Sequence, residues 1–169
     1  MKGKISIFLF VSFVVSTCPL AILAQAEEVH HLNEFVGDWT YSVYVKQPGI
    51  TSMSFGKATI KLTDPNTISS KFGSHDMDFI LEYSPSKKNY LLTYSFRQQG
   101  YAKPLLSVDK IKLIFSEEAG YTGRETNEEE KWNLEVTIKT GEGKFDCDIL
   151  STVKGETFEH NLNCWKPKS

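Results

Sequence analysis

The chain has 169 residues, a formal net charge of −2 and a hydrophobic fraction of 40%. This length suits one domain with a single core. The basic residues are scattered and form no stripe of the kind that nucleic acid requires, so the composition argues against nucleic-acid binding.

The first 26 residues have the three parts of an export signal. A basic start at Lys2 and Lys4 is followed by the apolar run ISIFLFVSFVV and then by the small-x-small sequence Ala24-Gln25-Ala26. We therefore expect a signal peptide over 1–26 and a single domain over 27–169.

Two other interpretations of the leader are weaker. Pro19 argues against a retained membrane anchor, and the bulky Thr17 argues against a lipoprotein attached through Cys18. The expected product is an exported protein, periplasmic or secreted. We expect no membrane span after removal of the signal, because no second apolar run is long enough to cross a bilayer. We expect it to be a monomer.

A short helical turn and a tryptophan open the mature chain. One face of the turn carries Val29, Leu32, Phe35 and Val36. Gly37 lets the chain leave the helix in a conformation that other residues resist. Trp39 is then the first inward-facing residue of strand one, and its N–H needs a partner when buried. The pattern predicts that the helix closes one end of a barrel and that Trp39 fills the floor beneath it.

The rest of the chain is dominated by a period of two. Apolar and polar residues alternate in segments such as MDFILEY, NYLLTYSF and WNLEVTIK, with turn sequences between them. The pattern predicts nine or ten antiparallel strands, each with one apolar face, and a β-bulge near Gly56 where the alternation changes phase. Closing the sheet hides the apolar faces and removes the edges, which favours an all-β up-and-down barrel over a β-sandwich.

The chain resembles the calycin superfamily, and most of all the lipocalin-like domains of bacteria. The resemblance is carried by the short helix, by Gly37-Asp38-Trp39 in a Gly-x-Trp pattern, and by the meander that follows. It implies a closed barrel with an internal cavity and a small apolar ligand. Many relatives place an Arg from the last strand over the Trp, whereas this chain has Lys166 there.

The mature chain has two cysteines, Cys147 and Cys164. An even number of cysteines in an exported protein indicates disulfide pairing, so we expect these two to form a disulfide. A type II′ turn with Gly155 at its first central position would place these two residues opposite each other on neighbouring strands. The same register would place Ser151 opposite His160.

Catalytic motifs are missing from the sequence, so an enzyme is not expected, and no cofactor or metal can be assigned. The paired His30 and His31 are interpreted as terminal residues. His160 shares a face with Phe158, Leu162 and Cys164 and should point inward. It is interpreted as a buried neutral histidine or a polar lining residue, and the alternative is a haem ligand.

The predicted function is non-covalent binding of a small apolar molecule inside the barrel. A filled barrel that acts as an interaction or structural protein is the alternative. Most pockets are lined by apolar and aromatic side chains with a few polar groups. The predicted ligand-binding residues are His160, Ser151, Tyr94, Phe96, Trp132 and Tyr41, with Trp39 and Gly37 in structural roles.

Overall fold

The computed structural model describes residues 31–72, 76–97 and 106–167. The expected signal peptide, Val29 and His30 lie outside these residues. A helical turn at 31–33 precedes ten strands. The strands are β1 (Gly37–Gln47), β2 (Ile50–Asp64), β3 (Thr67–Phe72), β4 (Asp76–Ser84), β5 (Asn89–Arg97), β6 (Leu106–Ser116), β7 (Gly120–Asn127), β8 (Trp132–Gly141), β9 (Lys144–Val153) and β10 (Glu156–Trp165).

The strands form one closed antiparallel barrel. Each strand pairs with its neighbours in sequence, and β1 closes the ring by pairing with both β2 and β10. The prediction of an all-β up-and-down barrel is confirmed, and a β-sandwich is ruled out. The inward-facing side chains form a single hydrophobic cluster that occupies the interior, because alternate residues of every strand point to the same side.

One end of the barrel is plugged by the helical turn. Leu32 and Phe35 are fully buried there, and the Phe35 ring lies 5.2 Å from Phe145 between ring centroids. Gly37 has a φ of +135°, a backbone conformation that disfavours a side chain. We call this end the helix end and the opposite end the mouth.

Trp39 ties the helical turn to the first strand. It is 2% exposed, and its Nε1 donates a hydrogen bond of 2.7 Å to the carbonyl oxygen of Phe35. The Nζ atom of Lys166 lies 5.2 Å from the centroid of the Trp39 ring, a cation–π distance. Lys166, which directly follows β10, therefore lies over the ring of the tryptophan.

The predicted bulge near Gly56 is wrong. The pairing of β1 with β2 runs without a shift from Gly37↔Ile60 to Gln47↔Ile50. The apparent change of phase arises because Met53 and Phe55 point outward and are 60% and 62% exposed. Two apolar residues on the outer face imitate a change of face in the sequence.

The predicted disulfide between Cys147 and Cys164 is also wrong. Both central residues of the β9–β10 turn have positive φ, 51° at Lys154 and 88° at Gly155, which is the geometry of a type I′ turn. The register therefore differs by two residues from the expected one.

Both cysteines are buried and free. Cys147 faces Leu162, and Cys164 faces Phe145. A shift of two residues changes every cross-strand pair but keeps each side chain on its own face of the sheet. The inward direction of His160 therefore survives a wrong register, whereas the disulfide does not.

Replacement of Trp39 tests the helix end. Trp39→Ala removes a buried ring and the hydrogen bond to Phe35, so we expect the free energy of unfolding in urea to fall by about 3–5 kcal/mol. Trp165→Ala is the matched control, because Trp165 is 39% exposed on the outer face, and it should cost less than about 1 kcal/mol. Equal losses in the two variants would contradict the plug.

Candidate functional site

A small cleft opens at the mouth of the barrel, between the end of β1, the start of β6 and the β9–β10 hairpin. Its volume is about 170 Å³. We call it the mouth cleft. Most of its lining surface is apolar, although polar and charged residues also contribute to it. The lining residues are Val45, Lys46, Gln47, Leu106, Ser107, Ser151, Val153, Phe158, Glu159 and the buried His160.

A contact across the lumen lies beside this cleft. Tyr94 on β5 and His160 on β10 stand on opposite sides of the ring of strands. The Tyr94 hydroxyl is in hydrogen-bonding contact with Nε2 of His160 and lies 2.9 Å from Sδ of Met77. These two side chains thus span the lumen, and we call the contact between Tyr94 and His160 the bridge.

Aromatic rings pack around the bridge. The ring of His160 lies 5.0 Å from that of Tyr94 and 5.1 Å from that of Phe96, between centroids. Tyr94 and Phe96 are fully buried, and His160 is 3% exposed. These contacts hold the imidazole in a water-excluded position.

Burial keeps both partners of the bridge neutral. Desolvation lowers the pKa of His160 from 6.5 to about 4 and raises the pKa of Tyr94 well above 10, with Cys147, Cys164 and Tyr41 adding to the second shift. The Nδ1 atom of His160 is buried and has no hydrogen-bond partner among the described residues. This nitrogen is thus left unpaired in an apolar setting.

The two cysteines beneath the bridge are not reactive groups. Burial raises the pKa of Cys147 and of Cys164 far above that of a free thiol. The thiolate is the nucleophilic form, so both side chains act as small apolar groups in the core.

Four of the predicted ligand-binding residues lie at or beside the cleft. Ser151 lines it, but its cross-strand partner is Phe158, whereas His160 faces Ile149. The predicted Ser151–His160 pair is therefore wrong, although both residues line the same space. Tyr94 and Phe96 contact His160 from the opposite wall.

The other two predicted residues lie elsewhere. Tyr41 is fully buried and packs against Phe72 at 4.9 Å between centroids. Trp132 is only partly buried, and its Nε1 donates to a carboxylate oxygen of Glu130 at 3.0 Å. Neither residue lines the mouth cleft.

The sequence analysis missed four apolar lining residues, Val45, Leu106, Val153 and Phe158. Val45 shares the inward face of β1 with Trp39, and Phe158 shares that of β10 with His160, so the period of two carried the signal for both. Their position at the mouth followed only from the order of the strands in the ring.

The surroundings of His160 do not fit a haem ligand. Its Nε2 is in contact with the Tyr94 hydroxyl, its Nδ1 is buried, and the adjoining cleft is much smaller than a porphyrin. Over residues 31–72, 76–97 and 106–167, no three His, Cys, Asp or Glu side chains come together as a metal site. Within the same ranges, no helix has the length and apolar character needed to cross a membrane.

No protein-family model matches the chain. A search of curated proteins gives no significant match either. The fold alone defines the class: a closed, ten-stranded antiparallel barrel with a buried aromatic core, compatible with the calycin type.

The buried His160 predicts a pH dependence of stability. Because its folded-state pKa lies below 6.5, its contribution is fully present above pH 6.5 and is lost as the pH falls from 6.5 toward 4. We expect wild-type protein to lose roughly 2–3 kcal/mol more than His160→Gln between pH 7.5 and 4.5, measured by urea unfolding. Identical losses in the two proteins would contradict a buried neutral imidazole.

Proposed function

We propose that the protein binds a small apolar molecule non-covalently in the mouth cleft, as an exported barrel of calycin type. The observation that carries the proposal is the apolar lining of the cleft, with Val45, Leu106 and Phe158 around it and His160 as a buried polar group. Pockets for small molecules combine an apolar wall with a few polar groups in this way.

The size of the cleft limits the ligand. An apolar cavity of about 150 Å³ holds one benzene molecule, and the mouth cleft has a volume of about 170 Å³. The bound part of the ligand is therefore the size of one aromatic ring or a short branched chain. A longer molecule would leave its remainder outside the mouth.

Export supports the same function, because a binding protein outside the cytoplasm captures molecules from its surroundings. The expectation of export is based on the signal-like first 26 residues of the sequence. N-terminal sequencing of the exported protein should show that it begins at Glu27.

A filled barrel that acts through its surface is a second candidate. It is favoured by the bridged lumen and by the exposed Met53 and Phe55 on the outer face of β2. Exposed apolar groups of this kind mark interaction surfaces when they are contiguous. In that case no small apolar molecule should bind at the mouth.

Filling the cleft distinguishes the two candidates. Ethylbenzene should shift the amide NMR signals of Leu106 and Phe158 in wild-type protein. Ser151→Phe should abolish these shifts, because the new ring occupies the cleft. Thr157→Phe is the matched control: it adds the same ring to the exposed outer face of the paired strand and should leave binding unchanged.

Either of two results would contradict the proposal. If ethylbenzene causes no shifts in wild-type protein, or binds Ser151→Phe as well as the parent, the mouth cleft is not a binding site.

A further inference from the structure

We propose that two copies of this chain associate edge to edge through β2, each adding an antiparallel strand to the sheet of the other. The inference is carried by residues 50–57, which we call the mouth half of β2. These residues pair with β1 along their whole length. Among the described residues, the pairing of β2 with β3 begins at Ala58↔Phe72, so no described strand lies beside the other edge of the mouth half.

The backbone of this edge is suited to pairing with another strand. An open strand edge presents a row of N–H and C=O groups that a second strand can satisfy. Proteins commonly protect such edges with charged side chains, prolines or bulges. The mouth half pairs with β1 without a bulge, and residues 50–56 include neither a proline nor a charged side chain. The edge therefore lacks the usual protection against strand addition.

The outer face of the mouth half determines the register of the contact. Met53 and Phe55 are 60% and 62% exposed there. An antiparallel pair centred on Ser54 places each methionine opposite the phenylalanine of the other copy, a favourable cross-strand contact between sulfur and ring. Centring the pair on Met53 would put Phe55 opposite Thr51. Centring it on Phe55 would put Met53 opposite Lys57. The register centred on Ser54 is the one that matches apolar residues twice.

The distribution of charge favours a second copy as the partner. In a two-fold symmetric contact, a charge near the axis meets the same charge of the other copy, so the centre of such a contact has to be uncharged. Residues 47–56 carry no charged side chain. Lys57 lies three positions from the axis, so along the strands it is about 20 Å from its counterpart, beyond the screening length of about 10 Å. The two copies can therefore approach without repulsion between like charges.

This association departs from the monomer expected from the sequence. The alternation of apolar and polar residues predicts which way side chains point, but it does not show which strand edges are left open. The open edge follows from the register of β2 with its two neighbours.

Sedimentation velocity over a series of protein concentrations tests the association. Wild-type protein should pass from monomer to dimer as its concentration rises. Phe55→Lys would place two like charges about 7 Å apart along the strands, and it should raise the dissociation constant by about tenfold or more. Ile114→Lys is the matched control, because Ile114 is an apolar residue of β6 that is 59% exposed, and it should leave the dissociation constant unchanged.

Oxidative cross-linking of cysteine variants tests the register. Ser54→Cys should form a covalent dimer, because residues directly opposite each other in an antiparallel pair have Cα atoms about 4.5–5.5 Å apart, within the range of a disulfide. Ser52→Cys is the matched control. Ser52 is half-buried on the same face of the same strand, but it would lie about 14 Å from its counterpart, too far for a disulfide. It should remain monomeric on a denaturing gel without reductant.

Three results would overturn the inference. They are a wild-type protein that stays monomeric at every concentration, a dimer that Phe55→Lys leaves as tight as before, and a cross-link in Ser52→Cys rather than in Ser54→Cys. A dimer that is weakened by Phe55→Lys but not by Ile114→Lys, and that is cross-linked through Ser54→Cys alone, would support it.

Discussion

The hydrogen-bonding contact between Tyr94 and His160 is the interaction on which the interior of this barrel depends. It joins β5 to β10, strands on opposite sides of the ring, so it holds two distant walls at the separation of two side chains. With Met77 and Phe96 packed beside it, the contact divides the lumen. The interior toward the helix end is filled by aromatic side chains, and the mouth cleft lies on the other side.

The two ends of the barrel differ in how firmly the wall is closed. At the helix end, Trp39 and Phe35 are joined by a buried hydrogen bond. Among the described residues, the pairing between β3 and β4 joins 67–69 to 80–82, and that between β6 and β7 joins 114–116 to 120–122. Both short ladders lie near the helix end, so the described parts of these two seams show no backbone pairing toward the mouth. The looser wall and the cleft are at the same end.

The sequence predicted which way side chains point better than it predicted their neighbours. Alternation places each residue inside or outside, and a register error of two residues leaves that assignment unchanged. His160, Cys147 and Cys164 are accordingly buried as expected, but their cross-strand partners are not the expected ones.

The turn type explains the error in register. A type I′ turn needs positive φ at both central positions and usually signals itself by Asn-Gly or Asp-Gly. Here Lys154 takes the first position with a φ of 51°, an uncommon conformation for lysine. No local sequence signal identified it. The contact between His160 and Tyr94 could not be predicted for a different reason. Whether β5 lies opposite β10 depends on the number of strands in the closed ring, and the sequence was compatible with either nine or ten strands.

The central claim is that Tyr94 and His160 interact across the lumen, and a double-mutant cycle measures this most directly. Urea unfolding of Tyr94→Phe, His160→Leu and the double variant would give the coupling free energy between the two side chains. The account predicts a coupling of about 1–2 kcal/mol, as found for residues that share a hydrogen bond. Losses that add within about 0.3 kcal/mol would show two independent side chains and contradict the bridge.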